Sequence, residues 1–253
     1  MRLFDTHAHL LDRKFDVDRQ ILINTLPESG VVGVIECGTS VRESRRAAAL
    51  AESSDYLYAA AGVHPHDSND AQNDFLIHIE AIARKPKVIA IGEIGLDYHY
   101  DFSPKETQRR VFEQQLDLAE KLNMPVAIHM REATEDMLSI LKQHPGIRGV
   151  VHCFSGSAET AEIMCGMGLH ISFTGSVTFD NARKVVEAAA AVPLERLMAE
   201  TDCPYLSPQP VRGTRNNPAN VKFVLQKLAA IKGVSFDHMC ETNINNAKRL
   251  YNI

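Results

Sequence analysis

The sequence of 253 residues lacks the features of membrane and secreted proteins. No apolar run approaches the roughly 20 residues that a membrane-spanning helix requires. The amino terminus has no basic start and apolar stretch before a cleavage site, because Leu3-Phe4 leads directly into Asp5-Thr6-His7. The five cysteines include no Cys-x-x-Cys pair, which favours reduced thiols over a disulfide framework. These absences predict a soluble, cytoplasmic protein without a membrane partner.

The sequence also lacks an excess of positive charge and the glycine motifs of nucleotide-binding folds. The formal net charge is −5 at pH 7, so any contact with nucleic acid must be local rather than a matter of bulk electrostatics. Neither Gly-x-Gly-x-x-Gly after the first strand nor Gly-x-x-x-x-Gly-Lys-Ser/Thr occurs, which argues against a nucleotide cofactor. With 45% hydrophobic and 23% charged residues, the chain has the composition of a globular protein with one large core.

Short runs rich in Val, Ile, Leu and Ala recur along the chain, and each precedes a segment with helical periodicity. This alternation is typical of parallel βα units. The apolar runs are too continuous for burial on one face only, which favours a closed (β/α)8 TIM barrel, an α/β fold with a single domain at residues 1–253. An open doubly wound sheet is the alternative. The predicted strands are 2–6, 31–36, 56–61, 87–91, 125–128, 149–151, 169–173 and 196–200.

Helical segments are predicted between these strands and after the last one. For the segment 104–122, we expect Ser103 as the N-cap and Pro104 at the first helical position. The predicted helices include 41–53, 104–122, 182–191, 219–231 and 235–250.

Six side chains of metal-ligand type follow predicted strands. The carboxyl ends of barrel strands open onto one face, so residues far apart in the sequence converge there. Imidazole and carboxylate groups are ligands of catalytic zinc, manganese and magnesium. A single histidine at a strand end is more often structural, but six such residues at the ends of five strands indicate a shared metal site. They are His7, His9, Glu93, His129, His152 and Asp202.

Glu93 has a central position among these residues, and a carboxylate can bridge two cations with its two oxygens. Two metals about 3.5–4 Å apart can clamp the attacking and leaving oxygens of a displacement and lower the pKa of bound water. The pattern therefore predicts a two-metal hydrolase.

Two further roles depend on single residues. Asp202 is a terminal ligand, a general base for water, or both, with a helix N-cap as the non-catalytic alternative. His64, in Gly62-Val63-His64-Pro65, follows the third strand, and we favour a substrate-facing hydrogen bonder or proton donor over a metal ligand. A structural turn histidine is the alternative for His64. Most of the remaining histidines, a set that includes His66, are expected at the surface or in packing.

Five motifs are recognisable in this sequence, and in order they extend over essentially the whole chain. Together they closely resemble the TatD family of metal-dependent deoxyribonucleases. They are Asp5-Thr6-His7-Ala8-His9-Leu10, Ala61-Gly62-Val63-His64-Pro65, Ile91-Gly92-Glu93-Ile94-Gly95-Leu96-Asp97-Tyr98, His152-Cys153-Phe154-Ser155-Gly156 and Glu200-Thr201-Asp202-Cys203-Pro204-Tyr205-Leu206.

The resemblance implies a barrel of the metal-dependent hydrolase superfamily that cleaves DNA phosphodiester bonds, as an exonuclease on single-stranded or frayed strand ends. It implies two divalent ions, which are Mg²⁺, Mn²⁺ or Zn²⁺, and it implies that the six residues above are the metal ligands. Asp202, Glu93 and His64 are then the expected catalytic residues.

For a nucleic-acid substrate, a few local cations must contact the phosphates. Arg131, two residues after His129, is one candidate, and Arg212 and Arg215 in the loop after the eighth strand are others. A planar guanidinium suits phosphate, whereas a solvated surface role is the alternative, above all for Arg215. Tyr205 can stack a terminal base. The expected substrate-binding residues are His64, Arg131, Arg212 and Tyr205.

Two other functions remain compatible with the sequence. Related barrels use a similar set of residues to cleave C–N or C–O bonds, so an amidohydrolase or esterase is the first alternative. The second is a non-catalytic protein that holds metal structurally. It is disfavoured because structural zinc sites commonly use cysteine, whereas this set consists of histidine and carboxylate residues.

Overall fold

The computed structural model describes residues 1–100 and 102–253, and its eight strands belong to one sheet. The sheet order is the chain order, from the first strand to the eighth. The strands are β1 (Leu3–Ala8), β2 (Val31–Cys37), β3 (Leu57–Ala61), β4 (Val88–Asp97), β5 (Val126–Arg131), β6 (Gly149–Val151), β7 (His170–Phe173) and β8 (Leu197–Ala199).

The end of β8 lies beside β1 again. Ala8 forms a parallel bridge with Cys203, and the amide of Asp202 donates to the carbonyl of His7 at 3.0 Å. An open doubly wound sheet reverses its strand order at a switch point, whereas this order follows the chain without a reversal. The predicted (β/α)8 fold is confirmed.

Two of the strands that carry site residues are buried over their whole length. All six residues of β1 and all ten of β4 are buried. Burial on both faces is typical of parallel sheets that are covered by helices, and it explains the continuous apolar runs of the sequence.

Nine α-helices occur among the described residues. Two of them begin at serines whose hydroxyls act as N-caps: Ser40 accepts from the amide of Glu43, and Ser235 accepts from the amide of His238. The helices are α1 (Arg19–Thr25), α2 (Val41–Glu52), α3 (Phe75–Ala83), α4 (Lys105–Leu122), α5 (Thr134–Leu141), α6 (Ala158–Gly166), α7 (Arg183–Ala191), α8 (Val221–Lys232) and α9 (Phe236–Tyr251).

The predicted start of α4 is wrong. The helix begins at Lys105, and Pro104 is the N-cap residue. The Ser103 hydroxyl instead donates to the carbonyl of His66 at 2.8 Å and accepts from the amide of Asn69 at 3.0 Å. Ser103 therefore fixes the loop after β3 rather than the helix that follows it.

Three of the strands that carry ligand candidates extend further at their carboxyl ends than predicted, so three candidates lie within strands rather than after them. β1 includes His7, β4 includes Glu93, and β5 includes His129. The extension of β4 depends on Gly95, which has a φ of 140° and pairs with His129. A Cβ at Gly95 would lie 2.0 Å from the carbonyl oxygen of His129. Only glycine therefore permits this close approach of the two strands.

The chain forms two compact units. The first unit comprises Met1–Glu36, Cys153–Cys165 and His170–Ile253, and the second comprises Cys37–His152 and Gly166–Leu169. The single-domain boundary at residues 1–253 stays a prediction.

None of the described helices combines the length and the apolar character that crossing a membrane requires. In the described part of the chain, none of the five cysteines forms a disulfide.

Candidate functional site

In the first unit, His7, His9 and Asp202 form what we call the aspartate group. His7 is fully buried, whereas His9 and Asp202 are half-buried. The Nε2 atoms of the two histidines are 3.2 Å apart, and Asp202 Oδ1 lies 3.4 Å from His9 Nε2 and 4.0 Å from His7 Nε2. Two imidazole nitrogens and a carboxylate oxygen thus converge on a small volume.

The backbone after β8 directs Asp202 towards β1. Asp202 has a left-handed φ of 54°, which aspartate tolerates better than branched residues. The preceding residue, Thr201, donates from its amide and its hydroxyl to the carboxylate of Asp5. Burial raises the pKa of Asp5 well above its usual range, although the bonds from Thr201 oppose this rise. Asp5 therefore ties the loop that carries Asp202 to β1.

Glu36 supports the segment after His9. Its carboxylate accepts from the amides of Leu10 at 2.6 Å and Leu11 at 3.1 Å. Burial raises the pKa of Glu36 to about 7, against the opposing influence of His9 and these amide bonds. A carboxylate that faces mainly backbone amides thus holds the chain that leaves β1.

Tyr205, a predicted substrate-binding residue, contacts the loop after β1. Its hydroxyl donates to Asp12 Oδ2 at 2.5 Å, and the Lys14 ammonium lies 4.5 Å from the centroid of its ring. The ring is 44% exposed. Burial would raise the pKa of Asp12, but the Tyr205 hydroxyl and Lys14 lower it overall.

The two arginines of the loop after β8 have different surroundings. Arg212 is exposed and lies 4.0 Å above the centroid of the Phe179 ring. Arg215 instead donates to both carboxylate oxygens of Asp18, at 2.7 and 2.6 Å, and lies 4.5 Å above the Phe15 ring. The Arg215 guanidinium is thus engaged by Asp18, and Arg212 stays the phosphate candidate of this loop.

In the second unit, His64, Glu93, His129 and His152 form what we call the glutamate group. Glu93 is 2% exposed, and its Oε1 atom has three imidazole neighbours. His152 Nε2 lies at 2.8 Å, His129 Nδ1 at 2.9 Å and His64 Nε2 at 3.2 Å. His129 Nδ1 and His152 Nε2 are themselves 3.1 Å apart. One buried carboxylate oxygen is thus surrounded by ring nitrogens from three different strands or their ends.

His64 is a neutral hydrogen bonder in this arrangement. Its Nδ1 accepts from the amide of His66 at 3.1 Å, which assigns the ring proton to Nε2, the atom that faces Glu93. Burial lowers the pKa of His64 to about 4, although Glu93 opposes this change. His64 thus donates towards Glu93, and its role as a substrate-facing hydrogen bonder or proton donor stays a prediction.

Asp97 and His66 are site residues that the sequence reasoning missed. Asp97 Oδ2 lies 2.9 Å from His129 Nε2 and 3.0 Å from His66 Nε2. Burial would raise the pKa of Asp97, but the two histidines lower it overall. His66 therefore contacts the glutamate group through Asp97. The missed signal is the spacing of Glu93 and Asp97, because residues four apart in a strand share a face.

Arg131 lies at the end of β5, on the same strand as His129. Its guanidinium carbon is 4.8 Å from the centroid of the Tyr100 ring. Tyr100 in turn contacts the ring of His66, with the centroids 5.4 Å apart. Arg131 therefore lies near the glutamate group, and its guanidinium contacts the Tyr100 ring.

The donor atoms of both groups fit a divalent cation. Within each group, three residues offer ligand atoms that all lie within 4.8 Å of one another: His7, His9 and Asp202 in one, and His64, Glu93 and His129 in the other. Nitrogen and carboxylate oxygen donors suit zinc, manganese and magnesium. The Asp97–His129 contact adds the carboxylate–histidine pairing that is usual behind a metal-ligating imidazole.

Known sequences are similar to this chain over its whole length. The family described as TatD related DNase matches residues 4–252. The protein named uncharacterized metal-dependent hydrolase YabD, from Bacillus subtilis (strain 168), is 43% identical over 253 residues, which cover 99% of each chain. The 3'-5' ssDNA/RNA exonuclease TatD of Pantoea ananatis is 36% identical over 260 residues, which cover 99% of this chain and 100% of the relative.

A solved structure has the same fold. YJJV, a TatD homologue from Escherichia coli K12, superposes with a TM-score of 0.94 at 32% sequence identity, and the match covers 100% of this chain and 98% of that one. The family match and these identities together confirm the resemblance seen in the five sequence motifs. The chain belongs to the TatD family, and it is a metal-dependent hydrolase.

Proposed function

We propose that this protein is a metal-dependent exonuclease that hydrolyses phosphodiester bonds at the ends of single-stranded or frayed DNA. The observation that carries the proposal is the buried Glu93 oxygen with three imidazole nitrogens within 3.2 Å. Such a carboxylate and its histidines form a donor set for a catalytic divalent cation. The relatives named as 3'-5' ssDNA/RNA exonucleases support the choice of substrate.

The proposal assigns one divalent cation to each group. His7, His9 and Asp202 would hold the first, and Glu93, His129 and His152 would hold the second. When bound, such cations lower the pKa of a water ligand and offset the negative charge that develops on phosphate oxygens. Mg²⁺, Mn²⁺ and Zn²⁺ all accept these ligand types.

The chain's own residues have separate tasks in this proposal. The half-buried Asp202 accepts a proton from the attacking water. Asp97 holds His129 Nε2–H, which leaves Nδ1 free of a proton and directed towards Glu93. The neutral His64 donates from Nε2 to Glu93 and so fixes the orientation of that carboxylate.

Substrate binding is assigned to a few local groups because the chain carries a net charge of −5. Arg131 and Arg212 would contact phosphates, and Tyr205 would contact the terminal nucleotide. A small number of cations suits a strand end better than a long duplex footprint, since each phosphate contact adds to affinity. A cytoplasmic location, which reduced thiols favour, is part of the same proposal.

The test is digestion of end-labelled single-stranded DNA by purified protein loaded with Mg²⁺, Mn²⁺ or Zn²⁺. We expect mononucleotides from one end, and we expect Glu93→Gln to lower kcat/KM by at least about 100-fold with loss of bound metal. Glu241→Gln, at an exposed position on α9, is the matched control. A blocked strand end that leaves digestion unchanged would contradict exonuclease action.

The rival is hydrolysis of a small-molecule C–N or C–O bond by an amidohydrolase or esterase. An assay of the same metal-loaded protein with lactams, cyclic amides, carboxylic esters and DNA distinguishes the two functions. Turnover of any of these, with DNA spared, would replace the proposed function.

A further inference from the structure

Two aromatic side chains lie exposed on the loop between β4 and α4. Tyr100 is 41% exposed and Phe102 is 65% exposed, and Phe102 is the one exposed phenylalanine in the part of the chain that the structure describes. The two rings are parallel, with an interplanar angle of 6° and a centroid distance of 5.3 Å. A stacked pair with accessible ring surface is a platform on which a third planar group can stack.

The aromatic pair is connected to the glutamate group through one imidazole. The His66 ring meets Phe102 edge-on, with the centroids 4.9 Å apart, and it meets Tyr100 in the same way at 5.4 Å. His66 Nε2 and His129 Nε2 share the Oδ2 atom of Asp97. The pair is therefore connected to His129, a proposed metal ligand, through His66 and Asp97.

Two contacts hold Tyr100 in place. Its amide donates to Asp97 Oδ1 at 3.0 Å, and the guanidinium of Arg131 lies 4.8 Å from its ring centroid. Arg131 adds a positive charge beside the aromatic surface, in a protein whose net charge is negative. Aromatic rings with a neighbouring cation match one ligand chemistry well, that of a base attached to a phosphate.

We propose that Tyr100, Phe102 and Arg131 form a subsite that stacks a nucleobase of the single strand and contacts its phosphate. The subsite rests on the proposed exonuclease function and deepens it, because it adds a contact with the strand away from the reacting phosphate. Every base has a flat π-face, so the subsite accepts all four bases. Stacking of this kind strengthens single-strand binding by roughly 5- to 150-fold per base.

The test measures binding without cleavage. Metal-free protein in EDTA is titrated into oligonucleotides that carry the fluorescent base 2-aminopurine at successive positions from one end. We expect quenching at one or two of these positions with wild type. We expect Phe102→Ala and Phe102→Leu to abolish the quenching and to raise Kd about tenfold, while Phe102→Trp retains both.

Two controls separate stacking from a change in the fold. Ile77→Ala removes another exposed apolar side chain, 68% exposed on α3, and should leave Kd at the wild-type value. An oligonucleotide that lacks the base at the quenched position should bind wild type about tenfold more weakly than the intact strand does. Phe102→Ala should not weaken the binding of this base-free strand any further. If Phe102→Ala raises the Kd of the intact strand and of the base-free strand by the same factor, the subsite is overturned.

The outcomes also separate this proposal from the proposed function. DNA cleavage by metal-loaded wild type without any Phe102-dependent quenching would overturn the subsite and leave the exonuclease standing. Phe102-dependent quenching in a protein that cleaves no DNA would support the subsite as a nucleic-acid contact and overturn the exonuclease. An unchanged Kd and unchanged quenching in Phe102→Ala would refute the subsite in either case.

Discussion

The aspartate group and the glutamate group differ in how buried carboxylates support them. Behind the glutamate group, Asp97 accepts from two imidazoles, which lower its pKa overall against the effect of burial. Behind the aspartate group, Asp5 and Glu36 accept mainly from backbone amides and the Thr201 hydroxyl, and burial raises the pKa of both.

This difference assigns different tasks to the supporting carboxylates. Asp97 acts on side chains, because it fixes the ring and the tautomer of His129. Asp5 and Glu36 act on the chain path, because they hold the segments that carry Asp202 and His9. Loss of Asp97 should therefore appear in metal binding, whereas loss of Glu36 should appear in stability.

The largest expected effect is that of Asp202→Asn in the aspartate group. An amide cannot accept the proton of the attacking water, so kcat/KM for end-labelled single-stranded DNA should fall by about 10²- to 10⁴-fold. Asp55→Asn, at an exposed position before β3, should keep wild-type activity. A loss of less than twofold in Asp202→Asn would show that another group accepts the proton.

The next effect concerns Asp97→Asn. The neutral amide holds His129 less firmly than the carboxylate, so the affinity for the cation of the glutamate group should fall by about 10- to 100-fold. Competition with a metal-binding dye gives the affinity, and thermal unfolding shows whether the fold is kept. If Tm collapses while metal affinity per folded molecule is unchanged, Asp97 is a folding residue and the contrast with Glu36 fails.

The contribution of Glu36 to the free energy of unfolding should depend on pH. Its pKa is raised from 4.5 to about 7, so the carboxyl contributes stability that is fully present below pH 4.5 and lost as the pH rises through 7. Relative to Glu36→Gln, the metal-free wild type should lose about 3 kcal/mol of unfolding free energy across this window. Urea unfolding at pH 4.5 and pH 8 measures the loss. If wild type instead gains unfolding free energy relative to Glu36→Gln as the pH rises, the prediction is wrong in sign.

The smallest expected effects are those of Arg215→Ala and Arg131→Ala, and they differ in kind. Arg215→Ala removes an exposed ion pair with Asp18 and a contact with the Phe15 ring, so Tm should fall by at most about 3 °C while kcat/KM stays at the wild-type value. Arg131→Ala should instead raise KM for DNA several-fold with little change in Tm, because its guanidinium is assigned to a phosphate. Equal KM values for the two variants would remove Arg131 from the binding surface.

Local sequence patterns were sufficient for the eight strands and for the choice of the ligand candidates. They predict one site for all six candidates, whereas the structure brings together His7, His9 and Asp202 in one group and Glu93, His129 and His152 in another. Their role as metal ligands stays a prediction. The patterns were not sufficient for the lengths of β4 and β5. These depend on pairing across the two strands at Gly95, which no local propensity encodes.

Asp97 and His66 show the same limit within the site. Asp97 lies within one of the five sequence motifs and His66 directly follows another, yet a polar side chain at such a position has several possible partners. Only the register that places His129 opposite Gly95 brings His129 Nε2 to Asp97.

The sequence by itself determined the alternation of strands and helices, the family and the residue types that can hold metal, because hydrophobic periodicity and motif spacing are local properties. The tertiary structure decided which nitrogen faces which oxygen and whether burial or a bonded partner sets the pKa of each supporting carboxylate. It also decided that Tyr100 and Phe102 stack at the edge of the glutamate group. These properties depend on distances of a few ångströms between residues far apart in the chain, and only the packed strands fix such distances.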